Sequence, residues 1–555
     1  MKMTSLAARI QVLGPVINEL MAISSCTGAS VGVSHEGETI YSAGFGYRDR
    51  EKKLAPDADT IYHVASLSKS FTAAALGILA YDKKLNLNQP LREILPTFSQ
   101  HNTTVNAEAT TLDFLAHRTG LASKQSLWAE DGQDLLVDFS DVLPLVSYLE
   151  PVHPFRSTFL YNNFGYDIGA AVIEEVSGMK YGSFVHESIL KPLKLDRTTA
   201  TMDIAAENYA EGYFAGLAGE ETLIGRPHIA SGTVMAGANA VKTCVNDLLK
   251  YYFAIIQGWR SEKGTASPGP PRTPLKNVLQ LVTGHIPMEN DSKYEQSYGA
   301  GWAVVELPAP VGAIGINGML VPEMPVVGKG GQKKKVWYNN GSLVGFFSSV
   351  YIVPDSGVII VVLTNSFATN DCADWIGQLL LEAAIDCPEK NDYIDLAKES
   401  SAKYAALWAD MPRELAKTRT SNRSFRPLTD YVGKYYNEIH NFYIQIGVSE
   451  RNGTEQLFLS FQGLPSQTHF LVPHAVDVFS WLLSEEESRM VGRWPDLDVS
   501  IFILHFAESE NGQVGKLRWV HDLDVPEGEW FSIIPETISP VGYQQPIALD
   551  PGGRL

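Results

Sequence analysis

Ile61-Tyr62-His63-Val64-Ala65-Ser66-Leu67-Ser68-Lys69-Ser70-Phe71-Thr72-Ala73-Ala74-Ala75-Leu76-Gly77-Ile78-Leu79 is the stretch on which the fold turns. Its first five residues read as extended. The Ala-rich remainder is a strong helix former, with Leu67, Phe71, Ala74 and Ile78 on one face. Ser66 stands at the junction and opens the helix. First-turn N–H groups have no intrahelical partner and carry the positive end of the helix dipole. Such an N–H can hold an oxyanion. Lys69 follows one turn later, which sets its amine beside the Ser66 hydroxyl. A lysine held close and partly desolvated can take that hydroxyl's proton. The plainer alternative is an N-cap serine with a solvated lysine, a common arrangement.

Competing serines read differently. S-x-x-K also occurs at Ser188–Lys191 and Ser400–Lys403, and chance alone supplies about two copies at average usage. Ser188 lies late in a helix that stops at Lys191-Pro192, and Ser400 reads as a solvated helix face. Gly28-Ala29-Ser30-Val31-Gly32 fits G-x-S-x-G, an elbow that must follow a strand and open a helix. Here it follows a helix and opens a strand, so Ser30 is expected to be a strand residue.

Outward from Ser66, residues 6–24 predict an amphipathic helix with Leu6, Ile10, Leu13, Ile17 and Met21 on one stripe. Ala29–Val33 and Thr39–Tyr47 predict a hairpin around His35-Glu36-Gly37. Residues 66 to about 260 are mostly helical, and 261–274 form a Pro/Gly/Ser loop. Strands return from Tyr298. Ser348–Val353 and Val358–Leu363 flank the turn Asp355-Ser356-Gly357, and the second strand is apolar on both faces, hence central. The expectation is an α+β fold: an antiparallel sheet flanked by helices, assembled from both ends of residues 1–387 around a large helical insertion. Residues 388–424 read as a helical connector. Residues 425–555 carry about eight short strands with turns at Arg451-Asn452-Gly453 and Glu510-Asn511-Gly512, the pattern of a small antiparallel barrel.

Composition excludes several classes. The chain has 555 residues, 45% apolar and 19% charged, which is ordinary globular composition. Its net charge of -19 disfavours nucleic acid and anionic membrane surfaces, which both attract basic patches. Cys26, Cys244, Cys372 and Cys387 form no C-x-x-C pair and are expected as reduced thiols. Arg9 and Asn18 interrupt any signal-like apolar run, and no stretch of 18 apolar residues occurs, so a soluble cytoplasmic protein is expected. There is no H-E-x-x-H, no Cys/His cluster and no phosphate-binding G-x-x-x-x-G-K-[ST] loop, so neither a metal nor another cofactor is expected.

The segment HVASLSKSFTA, His63 to Ala73, resembles the first motif of the serine β-lactamase and penicillin-binding protein superfamily. It is most similar to the class C branch, which includes esterases, D-aminopeptidases and fungal acyltransferases. The second family motif, Y-x-N, matches Tyr161-Asn162-Asn163, followed by Phe164-Gly165-Tyr166 and a helix ending Val176-Ser177-Gly178. Tyr338–Asn340 and Tyr435–Asn437 fit the bare pattern without that context. Leu115–Leu121 and Ile189–Leu193 resemble flanking family segments, which gives His117 and Ser188 structural readings. The third motif, K-T-G or H-x-G, aligns with Asn339-Asn340-Gly341-Ser342. Asn339 there replaces the cation, and a neutral amide cannot attract a substrate carboxylate as a cation does. Lys333-Lys334-Lys335 just before it reads as a solvated loop. The resemblance spans about residues 10 to 385, and the C-terminal barrel resembles the lipocalin-like appendages of some D-aminopeptidases.

The resemblance implies a serine hydrolase that cleaves an ester, thioester or amide of a small molecule, in secondary metabolism, through an acyl-Ser66 intermediate. Lys69 and Tyr161 share the proton work, with a nearby ammonium lowering the phenol toward a usable base. Asn163 bonds Lys69 and substrate. The N–H groups of Ser66 and Ser342, on the strand carrying Asn339 and Gly341, hold the oxyanion. Two alternatives remain at this level. One is an acyltransferase passing the acyl group to an alcohol or amine acceptor; for either activity the acyl group comes from a small molecule or from an acyl carrier protein as partner. The other is an inactive module whose barrel binds an apolar ligand. The aromatics Trp128, Tyr213, Trp302 and Trp337 fall in or near candidate pocket loops and read as core.

Overall fold

A computed structural model describes residues 5–127, 131–202, 207–266, 273–290, 292–420, 426–451, 453–510 and 512–534. Trp128, residues 267–272 of the Pro/Gly/Ser loop, 421–425 at the expected connector–barrel boundary, the turn residues Asn452 and Asn511, and 535–555 lie outside them.

The expected N-terminal helix is two. α1 (Leu6–Gln11) and α2 (Gly14–Ser24) meet at Val12-Leu13. Pro15, in the first turn of α2, has no N–H to continue the α1 ladder and suits a new helix start. β1 (Gly28–His35) and β2 (Glu38–Gly46) form the expected hairpin. The helical part supplies α3 (Ser68–Tyr81), α4 (Phe164–Ser177) and α5 (Val245–Glu262). Then come β3 (Ile286–Pro287), β4 (Gln296–Tyr298), β5 (Ala303–Leu307), β6 (Lys334–Leu343), β7 (Phe346–Val353), β8 (Val358–Thr364) and α6 (Cys372–Ala384).

One eight-stranded sheet runs β2-β1-β8-β7-β6-β5-β4-β3, and its pairings are antiparallel. Every residue of β8 is buried. The Val/Ile-rich run explains this, because α6 packs on β7 and β8 while α5 packs on β8 and β1. Burying apolar side chains on both faces contributes roughly 25 cal/mol per Å² removed from water, which fixes the register of β1 on β8 from Ala29↔Thr364 to His35↔Val358.

Contacts divide the chain into two units: residues 1–419, 482–502 and 520–527 form one, and 420–481, 503–519 and 528–555 the other. The first unit holds α7 (Tyr393–Thr418), which buries Tyr393, Ala397, Ser400, Tyr404 and Trp408. Ser400 is therefore a core residue, not the solvated one expected. Its Oγ donates to Leu396 O and accepts from Asn370 Nδ2 and Trp375 Nε1, because its face of α7 is the apolar one. The first unit also holds α8 (Glu485–Val491).

The second unit is a nine-stranded, nearly closed antiparallel barrel, one strand more than expected. Several of its buried aromatic rings pack against one another. Trp519 stacks on Phe461 at 5.0 Å, Trp481 meets Phe461 at 5.6 Å, and Tyr431 touches Phe479 and Phe506. Among the described residues no helix is long and apolar enough to cross a membrane.

Candidate active site

Ser66 does not start the α-helix. It is the middle residue of a 3₁₀ turn, Ala65–Leu67, and α3 begins at Ser68. Ala65 adopts φ +46°, a left-handed conformation that costs a side-chain-bearing residue energy and persists only when its surroundings impose it. Those surroundings are visible. Val64 N–H donates to Val241 O, Ser348 Oγ donates to Val64 O at 2.9 Å, and Ser68 Oγ accepts from Val241 N at 2.9 Å.

The turn presents Ser66 Oγ to two groups. Lys69 Nζ donates to it at 2.9 Å, and Tyr161 OH donates to it at 2.8 Å. The same amine donates to Asn163 Oδ1 at 2.7 Å. Lys69 is 0% exposed and lies 4.9 Å from the Tyr161 ring centre. Burial disfavours its charged form and holds its pKa well below 10.5, opposed by the charge of Asp167. Burial likewise raises the Tyr161 phenol. The expected direction for Tyr161 is thus reversed. Burial favours the neutral form of both groups, the amine as a proton acceptor and the phenol as a donor.

Behind Tyr161 stands His117, its ring 4.4 Å away and packed also against Phe159, Tyr166 and Tyr298. Its Nδ1 accepts from Asn162 N at 3.1 Å, and Leu160 N donates to its carbonyl. His117 therefore braces the Tyr161-Asn162-Asn163 segment and keeps its structural reading. Ser30 is a strand residue as expected, its hydroxyl donating to Asp57 O.

Strand β6 supplies the opposite wall. It pairs with β7 as far as Leu343 but with β5 only through Tyr338. Residues 339–343 are thus an open edge, and Gly341 abuts the Ser66 turn. A Cβ at 341 would fall 2.5 Å from Val64 O and 3.1 Å from Ser66 N, so only glycine fits. Side chains alternate about this edge. Asn339 turns toward α3, where its Nδ2 donates to Ser66 O at 3.0 Å and Gly301 O at 3.2 Å. It braces the backbone of the turn. Asn340 points the other way and donates to Asp374 Oδ1 at 3.0 Å.

The beta-lactamase family profile matches residues 15–384, two thirds of the chain. The chain belongs to the beta-lactamase family. It is 23% identical over 452 residues to the unguisins hydrolase ungD′ of Aspergillus campestris, an alignment covering 77% of this chain and 75% of that one. It is 28% identical over 190 residues to Protein flp of Staphylococcus aureus, covering 34% of this chain and 38% of that relative. In fold, this β-lactamase-family chain is similar to the octameric penicillin-binding protein homologue from Pyrococcus abyssi, with TM-score 0.52, 18% identity, and coverage of 92% and 99%. A D-stereospecific amidohydrolase from Streptomyces sp. gives TM-score 0.52 and 20% identity, covering 70% and 100%.

Several residues around this β-lactamase-family site escaped the sequence reading. Asp167 is fully buried. Its carboxylate accepts from Met235 N at 2.6 Å and Gly237 N at 3.0 Å, while burial pushes its pKa up to about 7. Asp374 accepts from Tyr351, Asn340, Asn317 and Gln378, tying β6 and β7 to α6. Gln133 Nε2 donates to Val344 O at 3.1 Å in the β6–β7 turn. Beside it Asp131 pairs with Arg493 at 3.1 Å, and both are 2% exposed or less. No local pattern marks these positions, because the groups that fix them include partners far away in sequence. Tyr213, Trp302 and Trp337, by contrast, are core residues as the sequence reading expected.

Proposed function

We propose that this chain is a serine hydrolase that opens an amide or ester carbonyl of a small natural-product substrate through an acyl-Ser66 intermediate. One observation carries the reading: the Ser66 hydroxyl accepts from both the buried Lys69 amine, at 2.9 Å, and the half-buried Tyr161 phenol, at 2.8 Å. Ser66 Oγ attacks the carbonyl carbon while its proton passes to Lys69 Nζ. The oxyanion rests on the N–H groups of Ser66 and Ser342, each such donor worth roughly 3 kcal/mol. Tyr161 relays the proton from Lys69 to the leaving nitrogen or oxygen as the C–N or C–O bond breaks. Water then adds to the acyl carbonyl and gives a proton to Lys69, which returns it to Ser66 Oγ as the acyl C–O bond breaks and the acid leaves. Asn163 holds the amine in place through both steps.

The relatives named as a hydrolase of unguisins and an amidohydrolase support an amide among the candidate bonds. Asn339 spends its amide on two backbone carbonyls, which supports a substrate not held there by a carboxylate. The test is intact mass after incubation with a fluorophosphonate or a p-nitrophenyl ester. A single adduct on wild type that Ser66→Ala lacks is the expected result. No adduct, or equal adducts on both, would remove Ser66 as nucleophile. Acyl-enzyme breakdown that accelerates with added alcohol or amine would mark a transferase, and indifference to acceptors a hydrolase.

A further inference from the structure

The C-terminal stretch 520–527 clusters with the first unit although the family match ends at residue 384. Its contact there is specific. Asp522 Oδ2 accepts from Ser123 N at 2.9 Å, Lys124 N at 2.7 Å and Ser123 Oγ at 3.4 Å. Its Oδ1 accepts from Asp524 N at 2.9 Å, and Ser126 Oγ donates to His521 O at 3.2 Å. Asp522 is buried, so these are charge-assisted bonds in a site with little water to replace them.

The segment so held is two-sided. Its N–H groups at 123 and 124 face Asp522. Its carbonyls at 121 and 122 face Asn162, whose Nδ2 donates to Leu121 O at 3.3 Å and Ala122 O at 2.8 Å. Asn162 is the middle residue of the second motif, between Tyr161 and Asn163. Its other groups are also committed: N–H to His117 Nδ1 and Oδ1 to Phe164 N. Lys124 is left-handed at φ +40°, a conformation that needs holding from outside.

We propose that Asp522 is a positioning residue for acyl transfer. It fixes residues 121–124, these orient Asn162, and Asn162 sets Tyr161 and Asn163 against Ser66 and Lys69. A shift of about 1 Å in such groups is enough to slow a reaction roughly a hundredfold. This inference rests on the reading of Ser66 as nucleophile.

The experiment measures the rate constant for fluorophosphonate labelling of Ser66, and kcat and KM for a p-nitrophenyl ester, in wild type, Asp522→Ala, Asp522→Asn, Asn162→Ala and the Asp522→Ala/Asn162→Ala double variant. Circular dichroism reports the folded fraction of each. The expected result for Asp522→Ala is labelling slowed about tenfold or more with KM changed less than about twofold. Asp522→Asn, which keeps one acceptor oxygen, recovers part of the loss. The double variant is no slower than Asn162→Ala, because both substitutions cut one connection. Labelling of Asp522→Ala within twofold of wild type, or additive losses in the double variant, would overturn the inference. Should Asp522→Ala not fold, the Asp522→Asn/Asn162→Ala cycle carries the same comparison. A wild type that does not label at Ser66 would overturn the nucleophile reading itself. A labelled wild type with an indifferent Asp522 would overturn this inference alone.

Discussion

Lys69 Nζ stands 2.9 Å from Ser66 Oγ with no exposed surface of its own. Burial lowers its pKa in the folded chain, so between that lowered value and 10.5 the unfolded chain binds the extra proton. Stability therefore rises with pH across that window. Lys69→Met should abolish turnover, by roughly 10³-fold or more, and raise stability by about 1 kcal/mol at neutral pH. The gain should be widest below the lowered folded value and close as pH climbs to 10.5. Urea unfolding of both proteins from pH 6 to 10 checks it, and a destabilised Lys69→Met at neutral pH would contradict it.

In the proposed mechanism Lys69 and Tyr161 carry the proton, and they should bound the pH–rate profile of kcat/KM. Activity should fall on the acid side as Lys69 takes up a proton, well below 10.5, and on the alkaline side only above the ordinary phenol value of 10.0. Tyr161→Phe should keep the acid limb, lose the alkaline one and lower kcat/KM by about 10²–10³. A stopped pH series with a p-nitrophenyl ester reads both limbs.

Gly341→Ala should be a clean test of the strand edge. Its methyl would press on Val64 O and Ser66 N, displacing the 3₁₀ turn. Labelling of Ser66 should drop by at least about tenfold, at a stability cost of roughly 1–3 kcal/mol for the overpacked contact. Equal labelling rates would show that the turn and the strand edge are not coupled.

Arg493 and Asp131 form a buried ion pair. Arg493→Met leaves Asp131 and Asp496 without their guanidinium, and removing one partner of a buried pair costs about 3–5 kcal/mol. Chemical denaturation should show a loss of this order, and a loss below about 1 kcal/mol would mean that water reaches the carboxylates.

Where a local rule sufficed, the sequence was readable. The hairpins at 28–46 and 346–364, the central place of β8 and the S-x-x-K juxtaposition all follow from period, turn residues and one helical turn of spacing. Residues whose state is set by distant partners were not. Ala65 is left-handed because Val241 and Ser348 tether Val64. Ser400 is buried because α7 lays its apolar stripe against other elements of the first unit, α2 among them. The direction of the Lys69 and Tyr161 shifts depends on how dry the site is, which no spacing reveals. Asn339 was visible as a departure, but the two carbonyls it serves were not.

The return of residues 482–502 and 520–527 to the first unit has a consequence for where the chain can be cut. A chain cut after the family segment, at residue 384, would forfeit Asp522 and Arg493 and uncover the Phe367 ring that Trp494 meets at 5.1 Å. The appended sequence is thus no detachable ornament. Deleting the appended sequence would take both returning segments, 482–502 and 520–527, out of the first unit.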